Sequence, residues 1–365
     1  MILMNDFKAE PEELIRQQLV AAERVLRSGW YILGKEVKDF EASWARRCGV
    51  ADAVGVANGM DAIEIGMRAL GIGAGDEVIT TPMTAFATVL AILRVGATPV
   101  LADIEPGTGL LSIDSVARCL SPKTRAVLLV HLYGQLPDMT VWTDFCRSRN
   151  ILLLEDCAQA HLAEWNGRVA GSYGAFGAYS FYPTKNLGAI GDAGALITTD
   201  AALAERAKVI RNYGQSERYH HPEVGLNSRL DELHAAMLSE RLKWLDDFTE
   251  KRRHVARQYY EQIANPRITV LDKPLQDRSH VHHLFVVRCD ERERLSAHLT
   301  QAGIANLSHY PIPVHKQPPC ADVRLDPVGL AAVEQHAATC LSIPCHPQMS
   351  SSDIAKVVEA VNAFH

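Results

Sequence analysis

The 365-residue sequence lacks the features that mark several specialised classes of protein. Its eight cysteines form no CxxC pair, no block of basic residues suggests nucleic acid, and no apolar run reaches the roughly 18 residues of a membrane-spanning helix. Residues 1–8 are too short and too charged a segment to predict a signal peptide. We therefore expect a cytoplasmic protein with reduced cysteines and with neither nucleic acid nor a membrane as a partner.

The sequence also lacks a recognisable metal-binding pattern. Cys320 and Cys345 lie in the same C-terminal region as His309, His315 and His346, and residues of these two types are common zinc ligands. The spacings between these five residues fit no common zinc pattern, however. We therefore expect that the protein binds no metal ion.

Composition and the spacing of apolar residues predict a globular protein of two domains. Hydrophobic residues make up 47% and charged residues 22% of the chain, and the net charge is −6. From residue 77 to residue 155, short apolar runs alternate with helical patterns, which predicts an α/β fold with a mostly parallel sheet. After residue 268 the elements become shorter. We expect a large domain over 1–249, including an N-terminal helical segment, and a small α+β domain over 250–365.

Lys185 and Asp156 form the pattern that points most directly to chemistry. Asp156 ends the apolar run 151–156, and Lys185 follows in the small-residue segment 180–188. Enzymes that use pyridoxal phosphate (PLP) need such a pair, because the lysine forms a Schiff base with the cofactor and the acid keeps its pyridine nitrogen protonated. Taken alone, the two residues would also fit a solvated loop lysine beside an aspartate that caps a helix.

Further motifs resemble those of one enzyme family. The segments that show the resemblance follow one another along most of the chain: 31–37, 55–62, 75–79, 131–135, 151–161, 180–194, 227–232, 309–313 and 343–347. In these segments the sequence resembles the DegT-type sugar aminotransferases, a branch of the aspartate aminotransferase fold (fold type I). The resemblance implies a fold type I PLP-dependent transferase, with pyridoxal 5'-phosphate as cofactor and Lys185 and Asp156 as catalytic residues.

The resemblance implies which residues bind the phosphate of the cofactor. The backbone N–H groups of Gly59 and Met60 open a helix, where free amides bind an anion. The family often has a hydroxyl residue in place of Met60, so only the backbone of this residue is expected to bind. Ser180 matches a further phosphate ligand. Asn227 matches a ligand that the neighbouring subunit supplies, which implies a homodimer with shared active sites.

The resemblance also implies which residues contact the two faces of the cofactor ring. Gln159 matches the family position that packs on one face. Phe86 lies in the segment 84–88, which matches the segment whose aromatic ring stacks on the other face. The family's aromatic residue commonly falls one place earlier, where this chain has Ala85. Phe86 therefore either takes over the stacking or belongs to the core.

The candidate substrate-binding residues lie mainly in the C-terminal part of the chain. His309, Tyr310 and His315 resemble the loop that reaches toward the substrate in the family. Tyr133 is a weaker candidate from the large domain. Arg229 either contributes to the contact with the neighbouring subunit or is simply a charge at the start of a helix.

The resemblance implies an aminotransferase that moves an amino group from L-glutamate to a nucleotide-linked keto-6-deoxy sugar. The segment 131–135 resembles that of family members acting on 3-keto sugars, so the 3-keto position is favoured. Lys185 is then expected to move a proton as general base and afterwards as general acid. The alternatives are aminotransfer to a keto-cyclitol, a generic fold type I lyase or amino-acid aminotransferase, and a non-catalytic PLP-binding regulator. PLP-dependent sugar dehydration is disfavoured, because the resembling dehydratases carry His where this chain has Lys185. No basic patch supports the regulator.

Overall fold

The computed structural model describes all residues from Met1 to His365. The helices are α1 (Glu12–Ser28), α2 (Lys35–Cys48), α3 (Gly59–Ala69), α4 (Phe86–Arg94), α5 (Ile113–Cys119), α6 (Met139–Ser148), α7 (Ala201–Ile210), α8 (Glu232–Leu242), α9 (Leu245–Gln262), α10 (Arg292–Gln301), α11 (Ala331–Thr339) and α12 (Ser351–Asn362). The strands are β1 (Asp52–Val56), β2 (Glu77–Thr80), β3 (Thr98–Leu101), β4 (Thr124–Val130), β5 (Leu152–Asp156), β6 (Glu164–Trp165), β7 (Arg168–Val169), β8 (Gly177–Ser180), β9 (Gly194–Thr198), β10 (Thr269–Val270), β11 (Phe285–Arg288), β12 (Arg324–Leu325) and β13 (Cys340–Ile343). The alternation predicted from residue 77 to residue 155 is present as β2 to β5 with α4 to α6 between them.

The large domain is built on an eight-stranded sheet in the order β1-β9-β8-β5-β4-β2-β3-β12. Strand β9 is antiparallel to both of its neighbours, and the remaining pairs are parallel. All strands except β9 therefore point in one direction, and the predicted α/β fold with a mostly parallel sheet is confirmed. In such a sheet, ligands bind beyond the carboxyl ends of the strands.

Helices cover both faces of this sheet because its strands bury side chains on both sides. Along β4, Ala126 and Leu128 pack into one apolar cluster, whereas Val127 and Leu129 pack into the other. This alternation follows the two-residue period of a strand and leaves no polar face. Helices α3 and α7 contribute to the first cluster, and α2, α6 and α8 contribute to the second.

The small domain is built on a three-stranded antiparallel sheet in the order β10-β11-β13. Helices α9, α10 and α12 pack on this sheet and form a separate apolar core. Along α9, Leu245 packs in the core of the large domain, whereas Val255 and Tyr259 pack in the core of the small domain. The predicted boundary between residues 249 and 250 lies between these contacts, within one continuous helix, and the division into two domains at that point stays a prediction.

Two segments cross the predicted division. Ile2 packs in the small-domain core and forms a parallel bridge with Ile304, although the prediction places it in the large domain. Strand β12, from the small domain, pairs with β3 at the edge of the large sheet. A single bridge and a two-residue strand are too short to show hydrophobic periodicity. The sequence pattern therefore predicts neither the pairing of Ile2 with the small domain nor that of β12 with the large sheet.

All eight cysteines are free and buried. Burial raises the pKa of the Cys345 thiol to about 12 and that of the Cys119 thiol to about 11. These two thiols are therefore protonated and unreactive near neutral pH. None of the helices has the length and apolar character needed to cross a lipid bilayer.

Candidate active site

The carboxyl ends of three strands bring the predicted cofactor-binding residues to one edge of the large sheet. Gly59 follows β1, Asp156 ends β5 and Ser180 ends β8. Lys185 lies in the loop between β8 and β9. Ser180 pairs with Gly194 across these two antiparallel strands, which closes the loop and holds Lys185 over the same edge.

Asp156 is anchored with both carboxylate oxygens bonded. Its Oδ2 accepts a hydrogen bond of 2.8 Å from the hydroxyl of Thr88, and its Oδ1 accepts one of 3.1 Å from the N–H of Ala158. Thr88 is itself bonded to Thr84 at 2.8 Å. The side chain of Asp156 is buried, and a buried carboxylate needs donors or a cation to offset its desolvation. Each oxygen keeps a free lone pair, so the carboxylate can accept a further hydrogen bond from a protonated ring nitrogen.

Lys185 supplies positive charge near Asp156. Burial lowers the pKa of the Lys185 amine to about 8, and the negative charge of Asp156 opposes this shift. The amine forms no hydrogen bond with another protein group. At pH 7, an amine with this pKa is neutral in about one molecule in ten, against fewer than about one in a thousand for an ordinary lysine. Lys185 is therefore suited to act as a nucleophile and as a base.

Gly59 and Ser180 approach each other closely at the start of α3. A Cβ atom on Gly59 would lie 2.7 Å from the Cβ of Ser180, so a larger residue would force the backbone to move. The side chain of Asn58 caps the helix by accepting a hydrogen bond of 2.8 Å from the N–H of Asp61. The N–H groups of Gly59 and Met60 precede this bond and have no acceptor within the helix. With the hydroxyl of Ser180 they form a cradle for an anion such as phosphate.

Gln159 links the large domain to the loop that carries Tyr310. Its Oε1 accepts a hydrogen bond of 2.6 Å from the N–H of Tyr133, and its Nε2 donates one of 3.2 Å to the hydroxyl of Tyr310. Burial, followed by the negative charge of Asp156, raises the pKa of Tyr310 to about 12. The hydroxyl of Tyr310 is therefore neutral and keeps its proton, which it can donate within the site.

His309 also faces the site. Its Nδ1 is bonded to the hydroxyl of Ser342 at 2.8 Å. Burial, followed by the positive charge of Lys185, lowers the pKa of His309 to about 4, so that its ring is neutral near pH 7. His309 and Tyr310 are thus two neutral polar side chains on one loop, and substrate binding by them stays a prediction that this placement favours.

The hydroxyl of Tyr133 is bonded to two residues from the C-terminal part of the chain. It donates to the backbone carbonyl of His309 at 2.6 Å and is bonded to Nε2 of His336 at 2.9 Å. The side chain is buried, and burial raises its pKa well above the ordinary value. Through these two bonds Tyr133 fixes the loop of His309, and a contact of Tyr133 with the substrate stays a prediction.

Arg229 and His315 have bonding partners away from Lys185. Arg229 donates to Oδ1 of Asn212 at 2.9 Å and lies over the ring of Tyr213. Nε2 of His315 is bonded to a carboxylate oxygen of Glu334 at 3.1 Å. The structure thus gives each side chain a local structural role, and a contact of either residue with substrate stays a prediction.

Phe86 and Asn227 occupy positions that leave their predicted roles open. Phe86 begins α4 and is half-buried against an apolar cluster that includes Val89 and Val314. Asn227 is exposed, and its backbone pairs with that of Asn212. Stacking by Phe86 and phosphate binding by Asn227 in a second subunit stay predictions.

The structure adds site residues that the sequence analysis missed. The hydroxyl of Thr88 orients the carboxylate of Asp156. Next to Lys185, the Oδ1 atom of Asn186 is hydrogen-bonded to Nδ1 of His283 at 3.2 Å. Thr88 had a weak signal in the sequence, because it ends the segment 84–88 that matches the family's ring-stacking segment. His283 had none, because only the fold brings its segment to the site.

A buried group of potential metal ligands has a structural role. His131, Glu155 and Cys157 have ligand atoms within 4.8 Å of one another. The carboxylate of Glu155, however, accepts hydrogen bonds from His131 and from three backbone N–H groups in the segment 171–174, at 2.7–2.9 Å. These four bonds use the lone pairs of both carboxylate oxygens of Glu155 and hold the segment 171–174 in place.

The residues at this edge of the sheet fit PLP. The cradle at the start of α3 suits its phosphate, the buried carboxylate of Asp156 suits its ring nitrogen, and the amine of Lys185 suits its aldehyde carbon. The mostly parallel sheet and the small C-terminal domain place these groups as in fold type I. The fold and the site therefore define a PLP-dependent enzyme.

Comparisons with known proteins identify the family. The sequence model of the DegT/DnrJ/EryC1/StrS aminotransferase family matches residues 12–362. The dTDP-3-amino-3,6-dideoxy-alpha-D-galactopyranose transaminase of Aneurinibacillus thermoaerophilus is 47% identical over 349 residues, which cover 94% of each chain. The dTDP-3-amino-3,4,6-trideoxy-alpha-D-glucose transaminase of Streptomyces venezuelae is 42% identical over 361 residues, which cover 98% of this chain and 95% of the relative.

A solved structure agrees with these relatives. The crystal structure of S. venezuelae DesV in complex with a ketimine intermediate superposes with a TM-score of 0.95 at 41% identity, over 99% of this chain and 97% of that chain. The chain therefore belongs to the DegT/DnrJ/EryC1/StrS aminotransferase family. It is a PLP-dependent sugar aminotransferase, and the predicted family, fold, cofactor and enzyme class are confirmed.

Proposed function

We propose that this enzyme transfers the amino group of L-glutamate to C3 of a dTDP-linked 3-keto-6-deoxyhexose. The placement of Lys185 and Asp156 beside the anion cradle is the observation that carries amino transfer. The two relatives described above are named for dTDP-linked 3-amino sugars that lack the 6-hydroxyl, which supports C3 and the dTDP group. The eight free cysteines support the cytoplasm as the place of action.

The residues of the site have separate tasks in this reaction. PLP, when bound, supplies an electron sink for the carbon that loses its proton. Asp156 holds a negative charge opposite the ring nitrogen, and Thr88 and Ala158 keep its carboxylate in one orientation. The neutral amine of Lys185 accepts the proton from the amino donor and later returns it to the adjacent carbon.

His309 and Tyr310 are the proposed contacts to the sugar. The hydroxyl of Tyr310 accepts from Gln159, which leaves its own proton free to donate to a sugar oxygen. Nδ1 of His309 is held by Ser342, which leaves Nε2 for a second contact. Both groups are neutral near pH 7, and neutral donors and acceptors suit hydroxyl and keto groups.

A panel of nucleotide-linked keto sugars tests the substrate. The PLP-loaded enzyme is incubated with L-glutamate and with 3-keto- or 4-keto-6-deoxyhexoses linked to dTDP or UDP, and the amino sugar and 2-oxoglutarate are quantified. We expect kcat/KM for the dTDP-linked 3-keto sugar to exceed that for the 4-keto sugar by at least about tenfold, or about 1.4 kcal/mol. A preference for the 4-keto sugar would refute C3, and amination of UDP-linked sugars alone would refute the dTDP group.

We also propose a homodimer in which the two subunits share both active sites. Exposed large apolar side chains, which typically mark interfaces, occur at Trp30, Tyr31, Ile190, Tyr213 and Val224. The exposed Asn227 lies in the same segment as the last of these, and its resemblance to a cross-subunit phosphate ligand supports its role in the partner's cradle.

Mixing two inactive variants tests this sharing. Lys185→Ala and Asn227→Asp are each purified and then combined under conditions in which subunits exchange. In a mixed dimer, one site holds both defects and the other holds neither, so activity should return to about one-quarter of the parent value if the variants mix statistically. If mass spectrometry demonstrates exchange and no activity returns, Asn227 acts within its own subunit or has only a structural role.

A further inference from the structure

The carbonyl group of Ser180 lies at the point where strand β5 leaves its neighbour β8. In this parallel pair, the N–H of Glu155 donates to the carbonyl of Phe176 at 3.1 Å, and the N–H of Cys157 donates to that of Ala178 at 2.8 Å. Such bonds recur at every second residue of a parallel pair, so the carbonyl of Ser180 is the next acceptor in the series. The pairing of the two strands ends before this point, however, and β5 supplies no donor for it.

Strand β9 does not supply this donor, and His161 does. The N–H of Phe181 donates to the carbonyl of Ala193 at 2.7 Å, at the adjoining ends of β8 and β9. Because bonded and unbonded pairs alternate along antiparallel strands, the neighbouring backbone of Ser180 faces away from β9. Nε2 of His161 is 2.9 Å from the carbonyl oxygen of Ser180. The side chain of His161 thus takes the place of a backbone N–H of β5.

The ring of His161 is neutral and held in one orientation. Because the carbonyl can only accept, Nε2 carries the proton, and Nδ1, which is buried without a hydrogen-bond partner, does not. Burial, followed by the positive charge of Lys185, lowers the pKa of the ring to about 3. The ring is fully buried, and its centroid lies 5.3 to 6.1 Å from those of Tyr179, Phe181 and Trp44. A donor fixed in this way also fixes the carbonyl that accepts from it.

Ser180 belongs to the anion cradle at the start of α3. Its Cβ would lie 2.7 Å from a Cβ atom on Gly59, so the two residues are in close contact. The hydroxyl oxygen of Ser180 accepts a hydrogen bond of 3.3 Å from the N–H of Tyr182, which leaves the hydroxyl proton free to donate to an anion. The position of this hydroxyl depends on the peptide that His161 holds.

We propose that His161 is a positioning residue for the phosphate of PLP, because it holds the peptide of Ser180 so that the hydroxyl of Ser180 reaches the phosphate at the start of α3. The chain turns away after β5 and so gives up its backbone bond to Ser180, and His161 restores this bond from further along the chain. The inference rests on the predicted phosphate contact of Ser180, and it is independent of which sugar the enzyme aminates.

Two substitutions of equal length at position 161 isolate the hydrogen bond. His161→Gln keeps an N–H donor near the position of Nε2, whereas His161→Met has a side chain of the same length without a donor. Both variants lose the aromatic ring, so the loss of packing cancels when the two are compared. The dissociation constant for pyridoxamine phosphate, which forms no covalent bond with Lys185, is measured by fluorescence titration of the full-length protein.

We expect the Kd for pyridoxamine phosphate to be at least about fivefold higher in His161→Met than in His161→Gln, the effect of one neutral hydrogen bond. His298 provides a matched control, because its Nε2 is also 2.9 Å from a backbone carbonyl, that of Ala360 in the small domain. The variants His298→Met and His298→Gln should differ less than about twofold in Kd. Equal Kd values in the two His161 variants, or an equal difference in the His298 pair, would overturn the proposal.

The same comparison in a Ser180→Ala background shows whether His161 acts through the hydroxyl of Ser180. Ser180→Ala alone should raise the Kd at least about fivefold, and an unchanged Kd would overturn the proposal. Without the hydroxyl its position no longer matters, so the difference between His161→Met and His161→Gln should fall below about twofold. A difference that persists undiminished in this background would equally overturn the proposal, because His161 would then have a structural role that does not involve the hydroxyl.

A further variant covers the case in which His161→Met does not fold, as judged by circular dichroism. His161→Phe keeps an aromatic ring against Trp44 and Tyr179 but has no donor, so its Kd should be at least about fivefold above that of the parent protein. A Kd within about twofold of the parent value would overturn the proposal. Because the binding of pyridoxamine phosphate requires no turnover, failure to aminate any sugar would count against the proposed function alone.

Discussion

Replacement of Asp156 by asparagine removes the charge from the centre of the site and leaves its shape. The new side chain can still accept from the N–H of Ala158. The hydroxyl of Thr88 can accept from the new amide instead of donating to it, because Thr88 has Thr84 as an alternative acceptor for its proton. We therefore expect a folded protein in which the partner of the cofactor's ring nitrogen is neutral.

The expected loss of activity follows from the strength of the bond that is weakened. A hydrogen bond to a charged group contributes about 1.5 to 3 kcal/mol, which corresponds to a rate decrease of roughly 10-fold to 150-fold. PLP should remain bound, because the cradle at Gly59 and the amine of Lys185 are unchanged. The pKa of Lys185 should also fall, since the charge of Asp156 raises it in the parent enzyme.

Single-turnover spectroscopy with excess L-glutamate measures this effect without the sugar substrate. The rate at which the visible absorption band of the bound cofactor disappears is compared between variants at saturating glutamate. Asp192→Asn, an exposed acid in the same loop as Lys185, is the matched control and should change the rate by less than about twofold. A decrease of less than about tenfold in Asp156→Asn, or an equal decrease in both variants, would refute the assigned role of Asp156.

The remaining predictions concern the cradle, the sugar contact and acid stability. Gly59→Ala should weaken PLP binding at least about tenfold in a fluorescence titration, because the new methyl group would clash with Ser180. Met60→Ala keeps the backbone N–H of residue 60 and should change the affinity for PLP less than about threefold. Tyr310→Phe should lower kcat/KM for the sugar about fivefold, the effect of one neutral hydrogen bond, and leave the glutamate half-reaction nearly unchanged; equal losses in both would contradict sugar binding. Burial lowers the pKa of His336 to about 4, so below about pH 6.5 this ring takes up a proton when the protein unfolds. Between about pH 6.5 and pH 4, His336 should therefore lower the free energy of unfolding by about 1.4 kcal/mol for each unit by which the pH falls. Urea titrations between pH 7.5 and pH 5 should therefore show a shallower dependence in His336→Asn, whereas the exposed-site variant His254→Asn should retain the parent slope.

The fold of the large domain was predictable because each of its strands and helices has a recognisable pattern within a short stretch of sequence. Strands buried on both faces contain apolar runs without polar alternation, as in Ala126–Val130 of β4 and Leu152–Leu154 of β5, and helical patterns separate the strands β2 to β5. The site residues on short motifs were predictable for the same reason. Asp156 ends a strand, Gly59 opens a helix, and Lys185 lies in a loop of small residues, so each has a recognisable sequence context.

Contacts between distant segments were not predictable from such patterns. The hydroxyl of Tyr133 is bonded to His309 and His336 of the small domain, and no local pattern indicates that this residue braces the His309 loop. His283 reaches the Lys185 loop only because the small domain packs against it. The strand β12 joins the large sheet through two residues. Each of these contacts depends on tertiary packing, which overrides the local pattern.

Borohydride reduction followed by peptide mapping tests the central claim, that Lys185 holds PLP and gives it up to an amino donor. The PLP-loaded enzyme is reduced before and after incubation with excess L-glutamate, and the peptide that carries a pyridoxyl group is identified by mass spectrometry. The account predicts the label on the peptide containing Lys185 before incubation and its loss afterwards, because the amine of Lys185 is then free. A label on another lysine, or a label on Lys185 that glutamate does not remove, would contradict it.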